Sequence, residues 1–76
     1  MATANMVRRR RVVHVVLEPA EGREGWYVAT SPDLPGLVPH GNGVDHTLEN
    51  VKDAMVAYFS GKPPAYTLDV RVVVPV

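Results

Sequence analysis

Alternating apolar positions mark the first predicted strand, in the stretch VVHVVLE at residues 12–18. Successive side chains of an extended chain point to opposite sides, so the stretch has two faces. The faces are formed by Val13, Val15 and Leu17 on one side and Val12, His14 and Val16 on the other. Because both faces are mostly apolar, the pattern predicts a strand that is buried on both sides.

Three further segments read as strands. Residues 26–31 are rich in aromatic and β-branched side chains, and residues 37–40 form a short apolar run. Pro39 cannot donate a backbone hydrogen bond, so we expect this third strand at an edge of the sheet. Residues 67–74 form the last strand, in which four apolar residues alternate with other side chains: Leu68, Val70, Val72 and Val74.

A helical stripe lies between the third and fourth strands. Its apolar residues recur every three to four positions, which is typical of an amphipathic helix. We predict that Asn42 or Gly43 caps the helix, that it runs to about Ser60, and that Gly61 ends it. The stripe consists of Val44, Leu48, Val51, Met55, Tyr58 and Phe59.

This order of elements predicts an α+β fold, β-β-β-α-β, with a mainly antiparallel four-stranded sheet in the order 3-2-1-4. Short loops make the first three strands antiparallel, and a right-handed helical crossover places the fourth beside the first. One helix covers one face and leaves the other open and partly apolar, a face that we expect to include some of Val12, Val16, Ala29 and Val73. The fourth strand lies at an exposed edge, so we predict a homodimer or higher oligomer through Leu68, Val70, Val72 and Val73.

Composition narrows the possible partners and compartments. The chain has 76 residues, no cysteine and a formal net charge of zero. We interpret residues 1–10 as a flexible basic arm and residues 11–76 as one small domain, whose limited core favours association with another chain. No apolar run is long enough to span a membrane, so we expect no membrane partner and a cytoplasmic location.

The segment SPDLPG, which follows the second strand, is the most distinctive loop. Two prolines forbid a helix there, and Gly36 is free to adopt the positive φ that closes a turn. The loop is either a structural corner, in which Asp33 binds nearby backbone amides, or a surface presented to a partner. The residues that we assign to partner binding are Trp26, Tyr27, Ser31, Pro32, Asp33, Leu34, Pro35 and Gly36.

The sequence resembles the HicB-type antitoxin family in three places. These are GWYVATSPDLPG at residues 25–36, then Gly41, then LENVKDAM at residues 48–55. The resemblance implies a partial ribonuclease-H-like fold that self-associates. It also implies binding to a small HicA-type toxin, an mRNA-cleaving protein, whose active surface the domain covers. Many members of the family add a C-terminal DNA-binding segment. This sequence ends at Val76 without one, so we do not expect operator binding by that route.

The alternative function is nucleic-acid binding by a dimer, through the adjacent Arg8, Arg9, Arg10 and Arg11. Enzymatic functions find little support. The three histidines lack the spacing of metal ligands, and Asp45, Glu49 and Asp53 lie on the outer side of the predicted helix. Neither Ser31 nor Ser60 has an evident catalytic base. We therefore predict a non-enzymatic domain with no metal and no cofactor.

Overall fold

The computed structural model describes residues 11–74. The elements are β1 (Arg11–Pro19), β2 (Trp26–Thr30), β3 (His40–Asn42), α1 (Val44–Tyr58) and β4 (Tyr66–Val72). They form one mixed sheet in the order β3-β2-β1-β4. β2 pairs antiparallel with both β1 and β3, whereas β4 pairs parallel with β1. The predicted β-β-β-α-β fold and strand order are confirmed.

The two faces of β1 differ sharply in burial. Val13, Val15 and Leu17 face α1 and are almost completely buried, whereas Val12 is 49% exposed on the other side. The prediction that β1 is buried on both sides is therefore wrong. The physical reason is that α1 packs on one face of the sheet and nothing within residues 11–74 covers the other.

Ala29 also lies on the covered face, which corrects the prediction that it contributes to the open one. It is the partner of Leu17 in the antiparallel register and is 1% exposed. Trp26, Val28 and Thr30 of the same strand lie on the open face, since they alternate with Ala29. The core is completed by the buried residues Val13, Val15, Leu17, Ala29, Leu34, Val51 and Met55.

Gly43, one of the two predicted caps, is the N-cap of the helix, which buries a polar residue that the stripe did not include. Gly43 has a φ of 101°, and its carbonyl accepts hydrogen bonds from the Thr47 amide at 3.1 Å and the Thr47 hydroxyl at 2.6 Å. Thr47 is fully buried because it packs directly over Gly41 of β3, where any side chain would overlap the Thr47 backbone. Within residues 11–74, no helix is long and apolar enough to cross a membrane.

The helix ends at Tyr58, two residues before the predicted Ser60. The Gly61 amide donates to the Val56 carbonyl and the Ser60 amide to the Ala57 carbonyl, which is the hydrogen-bond pattern of a Schellman motif. Ser60, with a φ of 55°, takes the left-handed position that usually belongs to glycine. Phe59 packs against the core, whereas Tyr58 is 43% exposed and does not belong to the buried stripe.

The third strand lies at a sheet edge, as predicted, but it spans His40–Asn42 instead of residues 37–40. Leu37 is held in a turn, since its amide donates to the Leu34 carbonyl at 3.2 Å. Pro39 contributes only its carbonyl, which accepts the Ala29 amide at 2.9 Å. The ladder therefore starts at His40, after the residue that cannot donate.

Candidate protein-binding surface

The side of the sheet opposite α1 has no covering layer within residues 11–74. We call it the open face and define it by the residues that alternate with the buried ones. It mixes valines with aromatic, hydroxyl and charged side chains. The residues are Val12, His14, Val16, Glu18, Trp26, Val28, Thr30, Thr67, Asp69, Arg71 and Val73. A face of this composition has apolar area for a partner to cover and charges that fix its orientation.

Trp26 is held at one corner of the open face by two neighbours. The Arg23 guanidinium carbon lies 3.6 Å from the centroid of the indole ring, within the range of a cation–π contact. The His46 ring meets the indole edge-on, with centroids 6.4 Å apart. Trp26 is therefore half-buried and pre-positioned, in contrast to Tyr27, which faces the helix side and packs against the core.

The segment from Ser31 to Leu37 consists of two consecutive turns. The Leu34 amide donates to the Ser31 carbonyl at 3.3 Å, and the Leu37 amide donates to the Leu34 carbonyl at 3.2 Å. In the second turn Pro35 precedes Gly36, which has a φ of 89°, the geometry of a type II turn. We call this segment the proline stretch. Its two prolines each occupy the second position of a turn, where their fixed φ is favourable.

Leu34 anchors the proline stretch to the core. It is 3% exposed and belongs to the buried apolar cluster, so its side chain is not available to a partner and its assignment to the binding surface is corrected. Leu34 also lines a small, open apolar cleft between the stretch and the helix, together with Leu37, Pro39, Val51 and Ala54. The burial of Leu34 thus fixes this segment against the core.

Asp33 fastens the same segment to β1. Its Oδ2 accepts the backbone amide of His14 at 2.8 Å and lies 3.0 Å from His14 Nδ1. The Asp33 amide in turn donates to the Ser31 hydroxyl at 3.1 Å. The hydrogen bond from the His14 backbone amide, followed by the one from its ring, holds the pKa of Asp33 below its ordinary value. Asp33 is thus structural, although it remains exposed beside the open face.

The imidazole of His14 links two elements across the open face. Its Nε2 lies 3.9 Å from Asp69 Oδ2 of β4, on the side opposite Asp33. Because its two ring nitrogens face different carboxylates, this arrangement orients side chains rather than enclosing an ion. Among residues 11–74, no group of three histidine, aspartate or glutamate side chains is placed to hold a metal.

The remaining predicted residues fall in separate places. Pro32, Pro35 and Gly36 are exposed on the outside of the proline stretch, and Ser31 is half-buried. Leu68 and Val70 are half-buried on the helix side of β4, whereas Val72 and Val73 are 39% and 42% exposed. Binding of a partner by the first group and of a second copy by the second stay predictions.

The arginine cluster lies mostly outside the described residues. Arg8, Arg9 and Arg10 precede residue 11, where the description begins, so nucleic-acid binding by the arm stays a prediction. Arg11 opens β1, and its guanidinium carbon lies 6.0 Å from the centroid of the Phe59 ring. This places Arg11 over the end of the helix.

Two helix side chains with structural roles were not found from the sequence. His46 Nδ1 accepts the Asn42 amide at 2.9 Å, and Asn50 Nδ2 donates to the His40 carbonyl at 2.6 Å. Both bind backbone groups of β3 that β2 does not reach. Their signal in the sequence is weak, because polar residues on the flank of an amphipathic stripe are ordinarily solvated.

Comparison of the chain with protein-family models, with curated proteins and with solved structures finds no match. The resemblance to HicB-type antitoxins therefore stays a prediction that is based on the residues quoted above. The open face and the proline stretch are therefore the features of this chain that bear on its function.

Proposed function

We propose that this chain is a non-enzymatic protein-binding domain that acts as a HicB-like antitoxin. In this proposal it binds a small HicA-type, mRNA-cleaving toxin in the cytoplasm and neutralises it by covering its RNA-binding and catalytic surface. The observation that carries the proposal is a sheet covered on one side only, with a rigid, anchored loop beside its open face.

Rigidity of the surface supports a binding role. Leu34 is buried beneath the proline stretch and Asp33 is bonded to β1, so the exposed Pro32 and Pro35 are already fixed before a partner arrives. Trp26 is likewise held between Arg23 and His46. Side chains that are ordered in the free protein lose little conformational entropy on binding, which favours affinity.

Exposed carboxylates outnumber the arginines around the open face. The carboxylates are Glu18, Asp33 and Asp69, and the arginines are Arg23 and Arg71. A protein that binds RNA presents cationic side chains to the phosphates. Carboxylates at the rim complement such a surface and accelerate encounter, while the central valines and Trp26 supply the apolar contact area.

The test is co-expression with a HicA-type toxin encoded beside this chain, together with matched glutamate variants. Val12 lies on the open face and Val56 on the helix, and they are 49% and 46% exposed. We expect the wild type and Val56→Glu to co-purify with the toxin and to restore growth. Val12→Glu, which places a charge in the contact, is expected to weaken the complex roughly tenfold.

Absence of both a complex and growth rescue with the wild-type chain would contradict the antitoxin proposal. Equal loss of binding in the two variants would place the contact elsewhere than the open face. Circular dichroism of each purified variant separates these outcomes from a failure to fold.

A further inference from the structure

The free edge of β4 has a defined set of backbone groups that face away from the sheet. Arg11 donates its amide to the Ala65 carbonyl, and Val73 donates to the Leu17 carbonyl at 2.8 Å, so odd-numbered residues of this segment face β1. In a strand, alternate residues direct their backbone groups to opposite sides. Leu68, Val70 and Val72 therefore present their N–H and C=O groups outward, where no strand within residues 11–74 pairs with them.

The sequence of this edge is self-complementary in charge. Reading outward from Val70, Asp69 precedes it and Arg71 follows it, and the next residues on either side, Leu68 and Val72, are both apolar. An antiparallel copy of the same segment reverses this order. A two-fold axis at Val70 thus sets each carboxylate opposite a guanidinium and each apolar residue opposite an apolar one.

We propose that two copies of this chain pair their β4 strands antiparallel about a two-fold axis at Val70, forming one continuous eight-stranded sheet. In this register Val70 pairs with the partner's Val70, and Leu68 pairs with the partner's Val72. All of these residues direct backbone groups to the shared edge, so six interchain backbone hydrogen bonds follow, two for each of the three pairs. The proposal goes beyond the proposed function and does not rest on it.

Charge selects this register among those that the backbone permits. Asp69 faces the partner's Arg71 and Arg71 faces the partner's Asp69, in positions where Cα atoms are only about 4.5 Å apart. Shifting the axis by one residue keeps the outward backbone groups paired, but it sets Asp69 against the partner's Asp69 or Arg71 against the partner's Arg71. Opposite charges at such positions stabilise a strand pair, and like charges destabilise it.

The apolar side of β4 supports the same arrangement. Leu68 and Val70 are half-buried and pack at the margin of the core, and Val72 is 39% exposed. Their partners on β1 are Val13, Val15 and Leu17, which are almost completely buried, so burial on the helix side decreases from β1 to β4. Pairing would extend the apolar layer across the two-fold axis, which adds burial that a domain within a 76-residue chain otherwise lacks.

The decisive experiment uses two single charge reversals, Asp69→Arg and Arg71→Asp, in the full chain. In a homodimer of either variant, position 69 faces the partner's position 71 with a like charge, at both pairs. In a 1:1 mixture, a heterodimer of the two variants restores opposite charges at both pairs. Sedimentation equilibrium over a concentration series should show a wild-type dimer and homodimers that are roughly tenfold weaker for each single variant. The mixture should recover an affinity near that of the wild type as a heterodimer.

A wild-type chain that remains monomeric at its highest soluble concentration would overturn the proposal. A mixture that associates no more tightly than either folded variant alone would also overturn it. Circular dichroism of the two variants establishes that each is folded before mixing.

Disulfide cross-linking tests the register of the β4 pair without changing the charge of any residue. The chain has no cysteine, so Val70→Cys introduces a single thiol. Its Cα atoms in the proposed pair are about 5.5 Å apart, within the range that a disulfide spans. We expect an added oxidant to link Val70→Cys into a covalent dimer and to leave Val56→Cys, on the helix, unlinked. A dimer in which only the Val56 position cross-links would place the contact on the helix instead.

Discussion

The sheet has two edge strands, β3 and β4, and helix side chains cover the backbone of only the first. At β3, the Asn42 amide donates to His46 and the His40 carbonyl accepts Asn50. At β4, Leu68 and Val72 present backbone groups that no strand or helix of residues 11–74 pairs with. The difference separates an edge that is closed within the chain from one that is open to another chain.

Binding of strand backbone groups by side chains, seen at the closed edge, also occurs inside the sheet. β2 ends at Thr30, and the β1 amide of His14 beyond that point is bound by the Asp33 carboxylate. A polar side chain thus replaces the missing strand at β1 just as His46 and Asn50 do at β3. On the β1 side of β2 the side chain comes from the proline stretch, and on the β3 side the side chains come from α1. β4 lies on the opposite side of β1 from β2, away from both of these segments.

The largest effect on the closed edge is expected from Gly41→Ala. A methyl group at this position would overlap the backbone nitrogen and Cα of Thr47, so α1 would have to move away from β3. We expect a loss of about 3 kcal/mol in the free energy of unfolding, measured by urea denaturation. Asn42→Ala, on the exposed side of the same strand, is the control and should change stability by less than about 0.5 kcal/mol. Equal losses would show that the helix does not depend on this close approach.

Asp33→Asn is expected to give a smaller, pH-dependent loss. Because the pKa of Asp33 is lowered in the folded state, its carboxylate stabilises the fold above the ordinary aspartate pKa. That contribution disappears as the pH falls through the lowered value. The variant should therefore be less stable than the wild type near about pH 7, and the two should converge on acidification.

His14→Ala serves as the control for this pH dependence. It removes the ring but keeps the backbone amide, which is the first cause of the pKa shift, so most of the acid sensitivity should remain. For all three proteins, the urea concentration at the midpoint of unfolding is measured at a series of acidic pH values. If the difference in stability between Asp33→Asn and the wild type were the same at every pH, the Asp33 carboxylate would not be the group that fastens the proline stretch.

Much of this fold follows from spacing along the chain, and the parts that do not follow depend on contacts between distant residues. The strand order was predicted because it rests on short connections and on the handedness of the crossover. Alternation along β1 defined its two faces but did not show that only one of them is buried. The buried face of β2 was harder to predict, since both faces of the strand carry an aromatic residue. Ala29 was offered for the open face, whereas it lies on the covered one. Thr47 was missed because its burial results from the absence of a side chain at Gly41, six positions earlier.

The candidate surface was predicted in outline but not in detail. The apolar Leu34 between two prolines is equally consistent with an anchor and with a contact residue, and only its position over the core decides between them. Asp33 was expected to bind a nearby amide within its own turn. It binds the amide of His14 instead, nineteen residues away along the chain. Pairing over such a distance is not encoded in local turn chemistry.

Asn50→Ala tests the second contact at the closed edge. The change removes the donor that binds the His40 carbonyl at 2.6 Å, at a site that water can reach. We expect a loss of about 0.5–1 kcal/mol in the free energy of unfolding, in the lower range for a neutral hydrogen bond. Glu49→Ala, a neighbouring exposed side chain on α1, provides the comparison and should have less effect. If both variants unfold at the same urea concentration, the amide does not help to close β3.

The smallest effect concerns the segment that carries the chain from the closed edge to the open one. Ser60 ends α1 in a left-handed conformation, with a φ of 55°, and a side chain at that position is disfavoured by contact with its own backbone. Ser60→Gly removes the strain but adds freedom to the unfolded chain, so we expect a net gain of about 0.5 kcal/mol. Ser60→Ala keeps a Cβ and should give no gain, and thermal melts of the three proteins measure the difference. A glycine variant that melts below the alanine variant would mean that the left-handed turn is not strained. In either case the charge pairing proposed for β4 should be unaffected, because Asp69 and Arg71 lie beyond the turn, on the strand that it leads to.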